Sequence, residues 1–139
     1  MMMPVEQWAR QTFGGSDLGD KRRTERLVTV ASGLAGQVGQ SLVKSCSSEA
    51  EIEGAYRLLR NDQVASEAIA ESGFKASAAQ ALSSTTLLAL EDSTSLSFGH
   101  GVREELGPVG NGADSRHQGF MVHSVLLVDA DTRQTIGLI

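Results

Sequence analysis

The sequence predicts a mixed α/β chain of the α+β kind, with helices first and strands after. Three observations predict it. Apolar residues recur at helical spacing from Leu27 to Val38. A capping signature at Ser48 to Glu51 opens another helix. Beyond Leu87 the apolar residues come in short runs separated by turn-forming residues, as strands do. A chain of 139 residues, 40% of them apolar, has room for one domain, or for a small domain joined to part of another.

Residues 4–13, with Trp8 and Phe13, read as a short helix that Gly14-Gly15-Ser16-Asp17 breaks. Asp20 is the N-cap candidate of the next helix. Leu27, Val30, Ala31, Leu34, Ala35 and Val38 then form one face. Gly33 and Gly36 weaken this helix and Gly39 stops it. Residues 40–47 are loop-like. Ser48 and Glu51 form a capping box, and Ile52, Ala55, Tyr56 and Leu59 share the face of the helix that follows, which ends at Asn61-Asp62. Tyr56 at this spacing is a core residue before it is a platform for a base. An alanine-rich helix starts at Ser66 or Glu67 and reaches about Leu82; its small residues suit close packing.

Leu87 to Phe98, LLALEDSTSLSF, is the stretch around which the rest is organised. Its apolar run reads as a strand buried on both faces, ending in Glu91 and Asp92 where a sheet opens to solvent. A carboxylate on a rigid strand end is a hard oxygen ligand for Mg²⁺ or Mn²⁺; the same residues also suit a plain strand-to-turn transition. Residues 99–119 form a glycine-rich loop with a short turn near Val102 to Leu106. Val122 to Val128 is a second strand, Asp129 to Thr132 a turn, and Gln134 to Ile139 a third strand in hairpin with the second. Three strands ending abruptly make an incomplete layer, so a fragment of something longer, or a truncated product, is expected.

Charge narrows the function classes. The net charge is -5, but residues 1–60 carry eight basic and seven acidic side chains, whereas residues 61–139 carry four and ten. Four of the basic groups fall within Lys21 to Arg26. Arg22, Arg23 and Arg26 are neighbours on the first turns of their helix, where they oppose the macrodipole and repel one another. A bound phosphate backbone, DNA or RNA, would reverse the sign of both terms. A solvated face with Glu25 nearby is the alternative.

No apolar run approaches membrane-span length, and MMMPVEQWAR is not a secretory signal. The single cysteine, Cys46, excludes an internal disulfide, fits a reducing cytoplasm and suits a small apolar filler. His100, His117 and His123 lack a metal-ligand spacing. No phosphate-binding glycine motif or nucleophile elbow occurs, and Asp114, Asp129 and Asp131 fall in loops or turns.

Six segments together resemble bacterial cut-and-paste DDE transposases of the insertion-sequence type, the Tn-five-like group. They are Trp8 with Phe13, LGDKRRTERLVTVASGLA, EGAYRLLRN, LLALEDSTSLSF, EELGPVG and VHSVLLVDADTRQTIGL, in the family's order and near its spacing. The resemblance implies a helical domain at residues 1–62 that binds transposon-end DNA. It implies that residues 63–139 begin a ribonuclease-H-like core, truncated here. Asp92 matches the first of the three carboxylates that hold two divalent metals, Mg²⁺ or Mn²⁺, in the full-length parent enzyme. Arg22, Arg23 and Arg26 match its DNA-contacting helix start, and Arg57 a further DNA-contacting arginine. Where close relatives can carry a basic-aromatic pair, this chain has Gly36-Gln37.

The implied partners are double-stranded DNA at transposon ends and a second copy or the full-length enzyme, with no membrane. One carboxylate cannot hold two magnesium ions, so the chain alone is not expected to cut DNA. The alternatives are a truncated DNA-binding protein that represses transposition and a non-functional remnant.

Overall fold

The computed structural model describes residues 3–99, 101–109 and 117–139. His100, Gly110, Gly112 and Asp114 lie outside the described residues. The chain forms two compact units, Met1–Ala79 and Gln80–Ile139.

The first unit is helical: α1 (Val5–Phe13), α2 (Lys21–Gly36), α3 (Glu49–Leu59) and α4 (Ser66–Ala81). Its core is Leu18, Leu27, Val30, Ala55 and Leu58, with Phe13, Leu42, Cys46, Val64, Ala68 and Ile69 packed around it. Burying a leucine there contributes about 2 kcal/mol relative to leaving it exposed. Trp8 and Phe13 meet edge to face at 5.9 Å. An ion pair, Arg10 to Glu25 at 3.0 Å, joins α1 to α2. Ala68 and Ile69 of α4 pack on the core, and Ser72 accepts a hydrogen bond from Ser16 at 2.8 Å, so α4 groups with the helices.

Both caps form from the residues that announce them. The Asp20 carboxylate accepts the Arg22 amide at 2.8 Å, and the Ser48 hydroxyl accepts the Glu51 amide at 3.2 Å. The capping box is displaced by one residue: Glu51 accepts from the amide and hydroxyl of Ser47, both at 2.7 Å, rather than from Ser48. These bonds, first from the Ser47 amide and then from its hydroxyl, hold the Glu51 carboxyl below its ordinary value.

Two faces differ from the periodicity. On α2 only the first turns are buried; Leu34 is exposed, and Val38, 86% exposed, lies beyond the helix, which stops at Gly36. On α3 the buried pair is Ala55 and Leu58, while Leu59 is 61% exposed and Tyr56 sits under Arg60, 5.1 Å from its guanidinium. The core lies one position round from the expected stripe, because residues 54 and 58 face α2 and leave Leu59 outside. Gly33 does more than weaken α2. A Cβ there would overlap the Ser45 carbonyl oxygen, so its bare Cα is what lets residues 41–46 lie against the helix.

The second unit is an antiparallel sheet of β1 (Leu87–Ser97), β2 (Gly107–Pro108), β3 (Gln118–Asp129) and β4 (Thr135–Leu138). β3 is central. β1 pairs along its whole length on one side, and β2 and β4 pair with its two ends on the other. The hairpin of the last two strands forms as expected, with an irregularity at Leu127/Val128. A one-turn 3-10 helix, Gly101–Glu105, occupies the expected turn.

Two expectations for Leu87 to Phe98 are corrected. The strand does not stop at Asp92; the Ser-Thr-Ser segment continues pairing with β3 as far as Ser97, opposite Gly119. Nor is it buried on both faces, for every residue of β1 is exposed. Its ladder is antiparallel, and among the described residues of this unit no second layer covers it, whereas burial on both faces is a property of parallel sheets flanked by helices.

Candidate nucleic-acid interface

The basic site is built where the start of α2 meets α3. Gly19, at φ +73, turns the chain into Asp20, a conformation that glycine takes without a Cβ penalty. The first turn of α2 then holds Lys21, Arg22 and Arg23 with no acidic residue among them. Asp20 supplies the compensating charge from the cap. The Arg22 side chain, then its amide, hold the Asp20 carboxyl at about 2. The Arg22 guanidinium, 2.9 Å from that carboxylate, is 92% exposed and open to exchange with another anion.

Arg23 is fixed by neutral acceptors. Its Nη1 donates to the Leu18 carbonyl at 3.0 Å and its Nη2 to Gln63 Oε1, beyond α3. Arg26, one turn on, is half-buried and lies across Gly54. Arg57, one turn beyond Gly54, pairs with Glu53. The four arginines expected from sequence therefore come together. They line one open recess of about 380 Å³ with Asp20, Gly54, Leu58 and Asn61.

Glu25 does not neutralise this cluster. Arg10 holds it through two hydrogen bonds, at 3.1 and 3.0 Å, and lowers its pKa. The recess thus gathers four guanidinium groups against two paired carboxylates, Asp20 and Glu53, with Glu51 acting on Arg26 at longer range. Guanidinium forks set close together match the tetrahedral oxygens of phosphate. Sequence reasoning missed Gly54 and Gln63, which shape and brace the recess. For Gly54 the available signal was a glycine inside a well-capped helix.

Asp92 lies in the middle of β1, opposite Ser124. By alternation it shares a sheet face with Leu88, Leu90, Thr94 and Leu96, and with Phe120, Val122, Leu126 and Val128 of β3. Glu91, opposite Val125, takes the other face, as expected. Asp92 is the one ionisable group on an otherwise apolar or hydroxylated face of this ladder. Among the described residues no three His, Cys, Asp or Glu side chains converge to hold a metal ion. Asp129 caps its own turn instead, accepting the amides of Thr132 at 2.7 Å and Asp131 at 3.0 Å. The adjacent Ser84 hydroxyl, then Thr132, hold its carboxyl at about 2. His123 Nδ1 meets the Ser93 hydroxyl at 2.9 Å, and His117 the Ser97 hydroxyl at 3.5 Å, each pair bridging β1 and β3 or its start. Among the described residues no helix is long and apolar enough to cross a membrane.

Residues 5–64, the stretch that contains all four recess arginines, match the family model described as transposase DNA-binding, and this supports a transposase N-terminal region.

Proposed function

We propose that the recess between α2 and α3 grips the backbone of double-stranded DNA at a transposon end, in the N-terminal region of a cut-and-paste transposase of the DDE, Tn-five-like type. The observation that carries this is the convergence of Arg22, Arg23, Arg26 and Arg57 on one recess, within the segment that matches a transposase DNA-binding family. Each guanidinium replaces condensed counterions on one phosphate, and the released ions drive association. Arg22 and Arg57 exchange a carboxylate for a phosphate. Arg23 contacts DNA in the orientation that Leu18 and Gln63 impose.

In this reading Asp92 is the first carboxylate of the catalytic set, and the sheet within residues 63–139 supplies the first strands of a ribonuclease-H-like core. The antiparallel ladder with a single carboxylate centred on a leucine-rich face supports it. Covering such a face leaves a lone carboxylate desolvated, at a cost of several kcal/mol, unless a cation or proton compensates it. The described residues do not by themselves fit a two-metal centre. The Mg²⁺ or Mn²⁺ site therefore belongs to the parent enzyme, with its other ligands supplied from elsewhere. When bound, such ions activate a nucleophile and stabilise the leaving oxygen in phosphoryl transfer.

The isolation of Asp92 favours a second reading for the chain acting alone: a catalytically silent protein that occupies transposon ends, alone, as a dimer or with full-length enzyme, and represses transposition. Incubating the 139-residue chain with labelled end duplex and Mg²⁺ or Mn²⁺ tests both. Salt-dependent retention without strand cleavage is expected. End-specific nicking would refute the assignment of a single catalytic ligand, and no retention at low salt would refute the recess as a DNA site.

A further inference from the structure

We propose that Gly54 is the positioning residue of the recess: its missing side chain holds Arg26 in place to take a backbone phosphate. The inference rests on the reading of the recess as a DNA site. Glycine is the poorest residue after proline for a helix interior, yet Gly54 sits in the middle of α3. Its backbone is not among the positive-φ glycines, so conformation does not require it. Close approach does. A Cβ at position 54 would lie 2.6 Å from Arg26 Cζ, 2.7 Å from Nη1 and 2.8 Å from Nε. Three near-equal distances mean that the guanidinium plane lies face-on against the α3 backbone.

Arg26 is also distinct in its partners. Arg22 and Arg57 each hold a carboxylate, and Arg23 spends two N–H groups on Leu18 and Gln63. Arg26 makes no ion pair or hydrogen bond among the described residues, although it is half-buried. A partly desolvated guanidinium with unspent donors lies at the wall of a recess that three other arginines share, seated against Gly54 and attracted at longer range by the Glu51 carboxylate. An anion entering there meets Arg26 already in position.

Gly54→Ala separates this role from a structural one. The group that must move is the far end of a flexible side chain, so α3 keeps its place and gains helix propensity while Arg26 is displaced. The full chain carrying Gly54→Ala is compared with wild type, Arg26→Ala, Arg57→Ala and the Gly54→Ala/Arg26→Ala double variant. Duplex affinity is read by fluorescence anisotropy over a range of salt, and stability by urea unfolding. Gly54→Ala is expected to retain or raise stability, to lose about eightfold in affinity at 0.1 M salt, and to lower the log–log salt slope by about one. In the Arg26→Ala background the same substitution should change nothing further. Wild-type affinity and slope for Gly54→Ala, or an equal loss in both backgrounds, would overturn the inference. If Arg26→Ala and Arg57→Ala weaken binding and Gly54→Ala does not, the recess remains a DNA site and only the role of Gly54 falls. If no arginine substitution weakens binding, both fall.

Discussion

Arg26 and Arg57 line the same recess yet should differ in what they contribute to DNA affinity. A phosphate contact in duplex DNA makes the binding constant scale with salt to a power of about -0.9. At 0.1 M salt this is about eightfold per contact, or about 1.2 kcal/mol. Arg26 makes no ion pair and feels the Glu51 charge only at longer range, so Arg26→Ala should lose nearly the whole factor. Arg57 must first leave Glu53, and their pair is solvent-exposed on both sides, at 76% and 64%. Such pairs are worth about 0.2–1 kcal/mol, which offsets part of the gain. The net loss for Arg57→Ala should therefore be only about 1.5- to 5-fold. Anisotropy titrations of the full chain between 50 and 200 mM salt measure both, with far-ultraviolet circular dichroism checking the fold. A larger loss for Arg57→Ala than for Arg26→Ala would show that pre-pairing with a carboxylate does not reduce an arginine's contribution here. Equal, salt-independent losses would refute phosphate contact altogether.

Other perturbations test the scaffold. Ser48→Ala leaves the Glu51 amide without its acceptor and should cost about 1 kcal/mol in urea unfolding. Gly33→Ala improves helix propensity but drives a Cβ into the backbone of residue 45, so it should destabilise by about 1–3 kcal/mol. Gly54→Ala, where only a side-chain end is in the way, should not. Asp129, held at about 2 against an ordinary 3.8, contributes stability that is fully present above the unfolded value. That share is lost as pH falls from about 4 to about 2. Urea midpoints of wild type and Asp129→Asn should accordingly converge across that window, and a constant difference would contradict the assignment.

The helical half was legible because its signals are local. Asp20 and Ser48 are caps whose acceptors satisfy amides two or three residues away, and the arginine spacing follows from helix geometry alone. The gathering of Arg57 with the α2 arginines was not legible from periodicity. It depends on how α3 rolls against α2, and the roll is set by Ala55, Leu58 and the bare backbone at Gly54 rather than by the expected stripe of Tyr56 and Leu59. The strand at Leu87 was legible as a strand but not in its extent. Ser93, Thr94 and Ser95 carry turn-like side chains, yet the ladder with Met121, Val122 and His123 holds them extended. Its exposure was illegible for a related reason: an apolar run reports what a strand is suited to bury, not whether a layer lies over it.

Amide chemical-shift mapping of the ¹⁵N-labelled full chain titrated with end duplex shows whether duplex DNA sits against the α2–α3 recess. Shifts should concentrate at Lys21 to Arg26 and at Gly54 to Asn61, with the strand amides of β1 and β3 unmoved. Shifts confined to the sheet, or spread evenly over the helical unit without a maximum at the recess, would contradict that placement.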